Sequence, residues 1–101
     1  MTKVEVLARL RAREADLRAM GIEHLSIFGS TARGEERADS DVDLAAVLDY
    51  EKVRGLGPFG YFSIEGRIEA ILGVKVDFGT EPHDQQPRLQ AQIDRDRVHV
   101  F

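Results

Sequence analysis

The residues of this chain whose types and spacing could do chemistry are a glycine–serine turn and three aspartates. Gly29-Ser30 follows the apolar run His24-Leu25-Ser26-Ile27-Phe28, and after ten intervening residues Asp41-Val42-Asp43 opens a second apolar run. Such a set can hold a nucleoside triphosphate and a divalent metal in one place. Transfer at phosphorus needs a cradle for the phosphates, a metal to neutralise them and carboxylates to hold the metal. Gly29 lets the backbone turn sharply and approach closely. Ser30 can give a hydroxyl and a backbone N–H to a phosphate oxygen, and a helix starting there aims free N–H groups at the anion. Arg33 sits one turn along, within reach of the same phosphates. The chain therefore reads as an enzyme that handles nucleotides.

Strand alternation turns the aspartates into a site. In a strand over 41–48, Asp41, Asp43, Ala45 and Val47 point one way and Val42, Leu44, Ala46 and Leu48 the other, so both carboxylates share a face. Asp77 is the third candidate, placed outward between inward Val76 and Phe78 in a strand over 74–78. Adjacent strands lie ~4.8 Å apart, so one more carboxylate can join the first two. Three clustered carboxylates repel, by about 4 kcal/mol per pair at ~4 Å and an effective dielectric of about 20. Without a cation they tend to take up protons. Mg²⁺ relieves that conflict, because it prefers oxygen ligands and bridges carboxylates to phosphates. One or two ions are expected, and two about 3.5–4 Å apart could clamp the attacking and leaving oxygens of an in-line displacement.

Taken singly, each element has an ordinary explanation: a turn before a helix, a solvated strand edge, a surface arginine. The joint occurrence is what points to a site: strand, Gly-Ser, helix, Asp-x-Asp on a strand, and a third Asp of matching parity on a later strand. The histidines add little. His24 reads as structural, His83 as solvated in a linker, and His99 as part of a terminal strand; no pair has metal-ligand spacing. The run Gly55-Leu56-Gly57-Pro58-Phe59-Gly60 is not a Walker phosphate loop, since no Gly-Lys-Ser/Thr follows it.

The supporting elements follow from periodicity and punctuation. Residues 2–20 read as an amphipathic helix with Val4, Leu7, Leu10, Leu17 and Met20 near one face, a Thr2/Glu5 capping box and Gly21 as its stop. Residues 22–28 form a buried strand, 30–37 a short helix and 41–48 the second strand. The Gly- and Pro-rich 50–60 segment reads as a loop. Residues 59–72 form a helix with Tyr61, Ile64, Ile68 and Ile71 inward, stopped by Gly73. A third strand over 74–78, a helix over 87–93 with Pro at its start and a terminal strand over 98–101 complete the chain. Strands alternating with helices give an α/β or α+β sandwich, with helices on one face of a small sheet.

Composition sets the outer bounds. A chain of 101 residues is one domain, residues 1–101, with little left for a second, acceptor-binding one. With 43% hydrophobic and 32% charged residues it is globular rather than a disordered tail. A net charge of -4 argues against direct nucleic-acid binding. The absence of Cys excludes disulfides, thiolate metal sites and Cys nucleophiles, and fits a cytoplasmic protein. No apolar run reaches membrane-spanning length, and the charged N-terminal stretch is unlike a signal peptide, so no membrane association is expected.

Phe28-Gly29-Ser30-Thr31-Ala32-Arg33-Gly34 followed by Ser40-Asp41-Val42-Asp43-Leu44 resembles the GSxARG…SDxDL motif of the minimal nucleotidyltransferases, within the DNA polymerase β-like nucleotidyltransferase superfamily. Ile71 to Phe78 resembles the family's third-aspartate strand and Pro87 to Phe101 its closing helix and strand, so the likeness covers nearly the whole chain. The resemblance implies a small mixed β-sheet with helices packed on it and Mg²⁺-dependent transfer of a nucleoside monophosphate from a nucleoside triphosphate such as ATP. By position, Gly29, Ser30 and Arg33 would bind the nucleotide. Asp41, Asp43 and Asp77 would form the catalytic metal-binding triad, with Asp77 able to accept a proton from the attacking hydroxyl. Members of this size are often paired with a HEPN-domain toxin, and the resemblance implies an antitoxin that adenylylates a tyrosine of that ribonuclease. Two alternatives stand beside it: a non-catalytic antitoxin acting by complex formation, and a small-molecule nucleotidyltransferase. The family's last residue is commonly Tyr; Phe101 here reads as a packing substitution.

Overall fold

The computed structural model describes the whole chain, Met1–Phe101. Four strands form one mixed sheet: β1 (Ile22–Phe28), β2 (Val42–Leu48), β3 (Val76–Thr80) and β4 (Val98–His99), in spatial order β3-β2-β1-β4. β1 runs antiparallel to both β2 and β4, while β2 and β3 are parallel. A parallel pair needs a long crossover, and helices α4 (Tyr50–Gly55) and α5 (Gly60–Leu72) supply it. The remaining helices are α1 (Lys3–Arg11), α2 (Glu14–Met20), α3 (Gly29–Arg33) and α6 (Pro87–Asp96).

Alternation divides the sheet into two unlike faces. Val42, Leu44, Ala46 and Leu48 of β2 join Leu25, Ile27, Val76 and Phe78 in the main core, against Val6 and Leu10 of α1, Leu17 of α2, and Ile64, Ile68 and Leu72 of α5. Truncating one of these fully buried aliphatics to Ala removes roughly 2–5 kcal/mol. On the opposite face, Phe28 and Ala45 are covered by Leu89 and Ile93 of α6. Helices therefore lie on both faces rather than one, because Phe28 and Ala45 are apolar and need cover. α6 shields the middle of that face and leaves the Asp43–Asp77 end open.

Local signals explain most boundaries. Thr2 and Glu5 make the expected capping box on α1, and α2, α3 and α5 each stop at a left-handed glycine, Gly21, Gly34 and Gly73. Several expectations give way: α3 covers Gly29–Arg33 rather than 30–37, β3 Val76–Thr80 rather than 74–78, and β4 only Val98–His99. The N-terminal helix is two helices, broken at Ala12-Arg13, and its buried face carries Val6 and Leu10 while Val4 is exposed. Part of the 50–60 loop is helical: Asp49 caps α4, its carboxylate accepting from the Glu51 and Lys52 amides.

The segment from β3 to β4 is pinned by one arginine. Arg97 grips Glu81 with both terminal nitrogens, at 2.8 and 2.5 Å, and also reaches Ser26 Oγ and Asp94. Gln90 donates to Glu81 and accepts the His83 N–H. Phe101 packs on the main core beneath the Arg18 guanidinium, which lies 4.7 Å from its ring centroid.

Candidate active site

The site is built where two strand ends meet a tight turn. β1 ends at Phe28, whose register partner on β2 is Asp43; Asp43 in turn is the register partner of Asp77 on β3. Two aspartates on neighbouring parallel strands, in register and on one face, present their carboxylates side by side. Gly29 turns the chain out of β1 with φ +71°, and an added Cβ there would lie 2.1 Å from Asp43 Oδ2. Only a residue with no side chain lets the turn and the carboxylate share that space. No side chain caps the N-terminus of α3, so its leading amides are free of side-chain partners. Ser30, in its first turn, is half-buried.

The charges of the site oppose one another. Burial pushes the Asp43 carboxyl up from its ordinary value, and the negative charges of Asp77 and Asp41 push it further; Arg33 pulls the other way with the smallest effect. Asp43 is half-buried, Asp77 exposed, and Asp41 exposed just ahead of β2. The structure thus joins Asp43 to Asp77 and leaves Asp41 at the strand's entrance. No three His, Asp or Glu side chains converge into a complete metal cage. Mg²⁺ does not require one, since it characteristically takes one or two carboxylates and fills its octahedron with waters and phosphate oxygens. Asp43, its carboxyl raised by burial and by neighbouring negative charge, beside the exposed Asp77 offers oxygen donors that fit such an ion.

Arg33 is engaged within the chain. Its guanidinium donates to Glu35 at 2.9 Å and to Asp96 at 2.6 Å, tying α3 to the end of α6. A phosphate contact by this residue requires those pairs to open.

A cleft of about 450 Å³ adjoins the two aspartates, between β3, the N-terminal half of α6 and Tyr61. Four of its lining residues, Tyr61, His83, Gln86 and Gln92, were not singled out by sequence as site residues. Tyr61 donates its hydroxyl to the Phe78 carbonyl at 2.5 Å, and burial raises its pKa. His83 is half-buried in the cleft instead of solvated, whereas His24 and His99 are exposed on strands. The signal for His83 was weak, because a residue between Pro82 and Asp84 reads as linker until the linker is seen to fold over β3.

Known proteins share this fold. The family model for polymerase beta nucleotidyltransferases matches residues 17–101. The protein adenylyltransferase MntA of Thermococcus cleftensis is 37% identical over 78 residues, 76% of this chain and 75% of that protein. A solved structure described as a minimal nucleotidyltransferase superposes with a TM-score of 0.67 at 32% identity, over 97% of this chain and 95% of that one. A toxin–antitoxin structure with AMP-PNP superposes with a TM-score of 0.63 over 100% of this chain and 73% of that one; at 15% identity this is a likeness of fold. The matched span contains every element of the sheet and the Gly29, Asp43 and Asp77 cluster, and on it the chain belongs to the polymerase β nucleotidyltransferase family.

Proposed function

We propose that this nucleotidyltransferase moves AMP from ATP to a hydroxyl of a protein, with a tyrosine of a HEPN-domain toxin as the acceptor. The observation that carries the reading is the Asp43–Asp77 pair lying against the Gly29 turn. Gly29 and Ser30 hold the phosphate tail through backbone amides and the Ser30 hydroxyl, and Arg33 closes on it once freed from Glu35 and Asp96. Asp41, Asp43 and Asp77 would hold Mg²⁺, which would neutralise the phosphates and polarise the α-phosphorus. The acceptor oxygen attacks the α-phosphorus, the bond from that phosphorus to the oxygen leading to the β-phosphate breaks, and pyrophosphate leaves. The hydroxyl proton passes to a carboxylate oxygen of Asp77, which is exposed and can release it to water.

Two observations support a protein acceptor. The relative from Thermococcus cleftensis is named a protein adenylyltransferase. Large apolar side chains also stand exposed on α4, α5 and the segment between them, namely Tyr50, Leu56, Phe59 and Phe62, beside Tyr61 at the cleft. Large exposed apolar side chains on neighbouring elements fit a surface that meets another macromolecule. The same patch favours the second reading, neutralisation of a toxin by complex formation alone, which has a relative in the toxin–antitoxin structure.

The test is transfer of label from α-labelled ATP to the co-expressed toxin, with Asp43→Asn and Asp77→Asn as controls. Labelling of the toxin that both variants lose supports the reading. A toxin that stays unlabelled yet is neutralised by wild type and variants alike replaces it with complex formation.

A further inference from the structure

β3 is an edge of the sheet, and it carries one of the two paired aspartates. Its inner side is held by β2. The Val42 N–H donates to the Lys75 carbonyl at 3.2 Å, and the Glu81 N–H donates to the Ala46 carbonyl at 2.9 Å. An edge strand leaves its other row of N–H and C=O groups without a strand to pair with. Two side chains of α5 take the place of that strand. The Val76 N–H donates to Glu69 Oε2 at 3.0 Å, and the Tyr61 hydroxyl donates to the Phe78 carbonyl at 2.5 Å. Val76 and Phe78 are the immediate neighbours of Asp77, one on each side. The Tyr61 ring also packs on the Phe78 ring, with centroids 5.3 Å apart. Glu69 and Tyr61 stand eight positions apart on α5, a spacing that keeps both on one side of a helix.

We propose that Glu69 and Tyr61 are positioning residues: they clamp β3 at both flanks of Asp77 and so fix where its carboxylate stands beside Asp43. The assignment rests on the role of Asp77 as a metal-holding group proposed above. The Asp77 side chain is exposed, so its place is set by the backbone beneath it and not by packing around it. A metal ligand has to be held within about 0.5 Å of its working position by the residues behind it. A strand free along one edge opens locally, and each clamped group removes part of that freedom. Neither residue needs to touch the substrate. Glu69 acts through an acceptor oxygen and not through its charge, so an amide at position 69 should serve as well. Tyr61 acts through its hydroxyl; Tyr61→Phe keeps the ring against Phe78 and removes only the donor.

The experiment applies two measurements to the full chain as wild type, Glu69→Ala, Glu69→Gln, Tyr61→Phe and Asp77→Asn. The first is amide hydrogen exchange by NMR. Glu69→Ala and Tyr61→Phe should speed exchange of the β3 amides by about 10-fold and leave those of β1 within about 2-fold, because only the sheet edge is released. The second is titration with Mn²⁺ alone, an oxygen-preferring probe in place of Mg²⁺, followed through the paramagnetic signal of the free ion. Glu69→Ala should weaken Mn²⁺ binding roughly 10-fold, and Tyr61→Phe about 3- to 10-fold. Glu69→Gln should stay within about 2-fold of wild type, since its amide oxygen still accepts from the Val76 N–H. Wild-type Mn²⁺ affinity in both Glu69→Ala and Tyr61→Phe overturns the proposal, whatever the exchange rates. Faster exchange in every strand at once overturns it as well, by making the two side chains general supports of the fold. Glu69→Gln as weak as Glu69→Ala overturns it too, by assigning the effect to charge. Asp77→Asn that binds Mn²⁺ as wild type does removes instead the reading of Asp77 as a metal-holding group.

Discussion

The carboxylate of Asp43 occupies the space in which position 29 would carry its side chain, with Oδ2 only 2.1 Å from an ideal Cβ. The Gly-Ser turn and the Asp-x-Asp strand are therefore a single packed unit, although they are separate motifs in the chain. Gly29→Ala meets two obstacles, a left-handed φ of +71° and the carboxylate itself. The backbone alone costs about 1–2 kcal/mol. The variant should lose roughly 2–4 kcal/mol in urea unfolding and at least 100-fold in transfer. Adding Asp43→Ala should restore part of the stability and none of the activity. Equal losses with and without the Asp43 carboxylate would refute the steric coupling.

Asp43 is expected to work against the fold it belongs to. Its carboxyl is raised by burial and by Asp77 and Asp41, so the folded state binds its proton more tightly than the unfolded chain. Its contribution to stability therefore falls as pH rises through the folded value. At pH 7 without Mg²⁺, Asp43→Asn should raise Tm by about 2–4 °C, after discounting for solvent screening of a half-exposed group. The gain should vanish near pH 3, where the wild-type carboxyl is itself protonated. Transfer should fall to background. A Tm that drops at pH 7 would show the charge to be stabilising.

Glu81 behaves in the opposite sense. The Arg97 guanidinium holds its carboxyl below the ordinary range, with Gln90 adding a second hydrogen bond. The stabilisation is complete above the unfolded carboxylate range and is lost as pH falls through the depressed folded value. Glu81→Gln should cost roughly 1–3 kcal/mol at pH 7. Denaturation curves for wild type and variant should converge as pH falls toward 3. Parallel curves at every pH would mean that the ion pair contributes nothing.

Arg33 offers a test of phosphate binding separate from the metal. Its two carboxylate partners compete with any triphosphate, so Glu35→Gln should tighten tripolyphosphate about 2-fold. Arg33→Ala should weaken it roughly 5- to 20-fold with little change in Tm. Unchanged binding in Arg33→Ala would reduce the residue to a clip between α3 and α6.

The aromatic patch predicts a split phenotype. Phe59→Ser/Phe62→Ser removes two side chains exposed by 71% and 67%, so Tm should stay within about 2 °C. AMP-PNP affinity should hold while labelling of a protein acceptor drops at least 10-fold. Labelling at the wild-type rate would place the docking surface elsewhere.

Much of this architecture was legible in the residues. Period-two alternation in β2 and β3 placed Asp43 and Asp77 on one face, and both strands obey it because Val42, Leu44, Ala46 and Leu48 of one and Val76 and Phe78 of the other are buried in the core. The N-terminal break was not legible. Arg13 stands at the start of α2 without a capping side chain, so neither Gly, Pro nor Ser marks the boundary. α4 was hidden by the glycines that follow it, although Asp49 gave a usable start signal. The pairing of Arg33 with Asp96 and the reach of His83 into the cleft depend on where α6 docks, and local pattern does not encode that.

The parallel pairing of β2 with β3 has a consequence for how the protein acquires its activity. Asp43 and Asp77 are remote in sequence and become neighbours only after α4 and α5 have crossed over and β3 has zipped onto the sheet edge. The β1–β2 hairpin can form early and locally, yet it carries only half of the carboxylate pair. Nucleotide affinity should therefore emerge late in refolding, with the slow long-range closure and not with the first burst of sheet signal. Ligand binding is then a proofreading readout of the completed topology: a chain that has collapsed without threading its crossover holds no substrate to spend on the wrong acceptor.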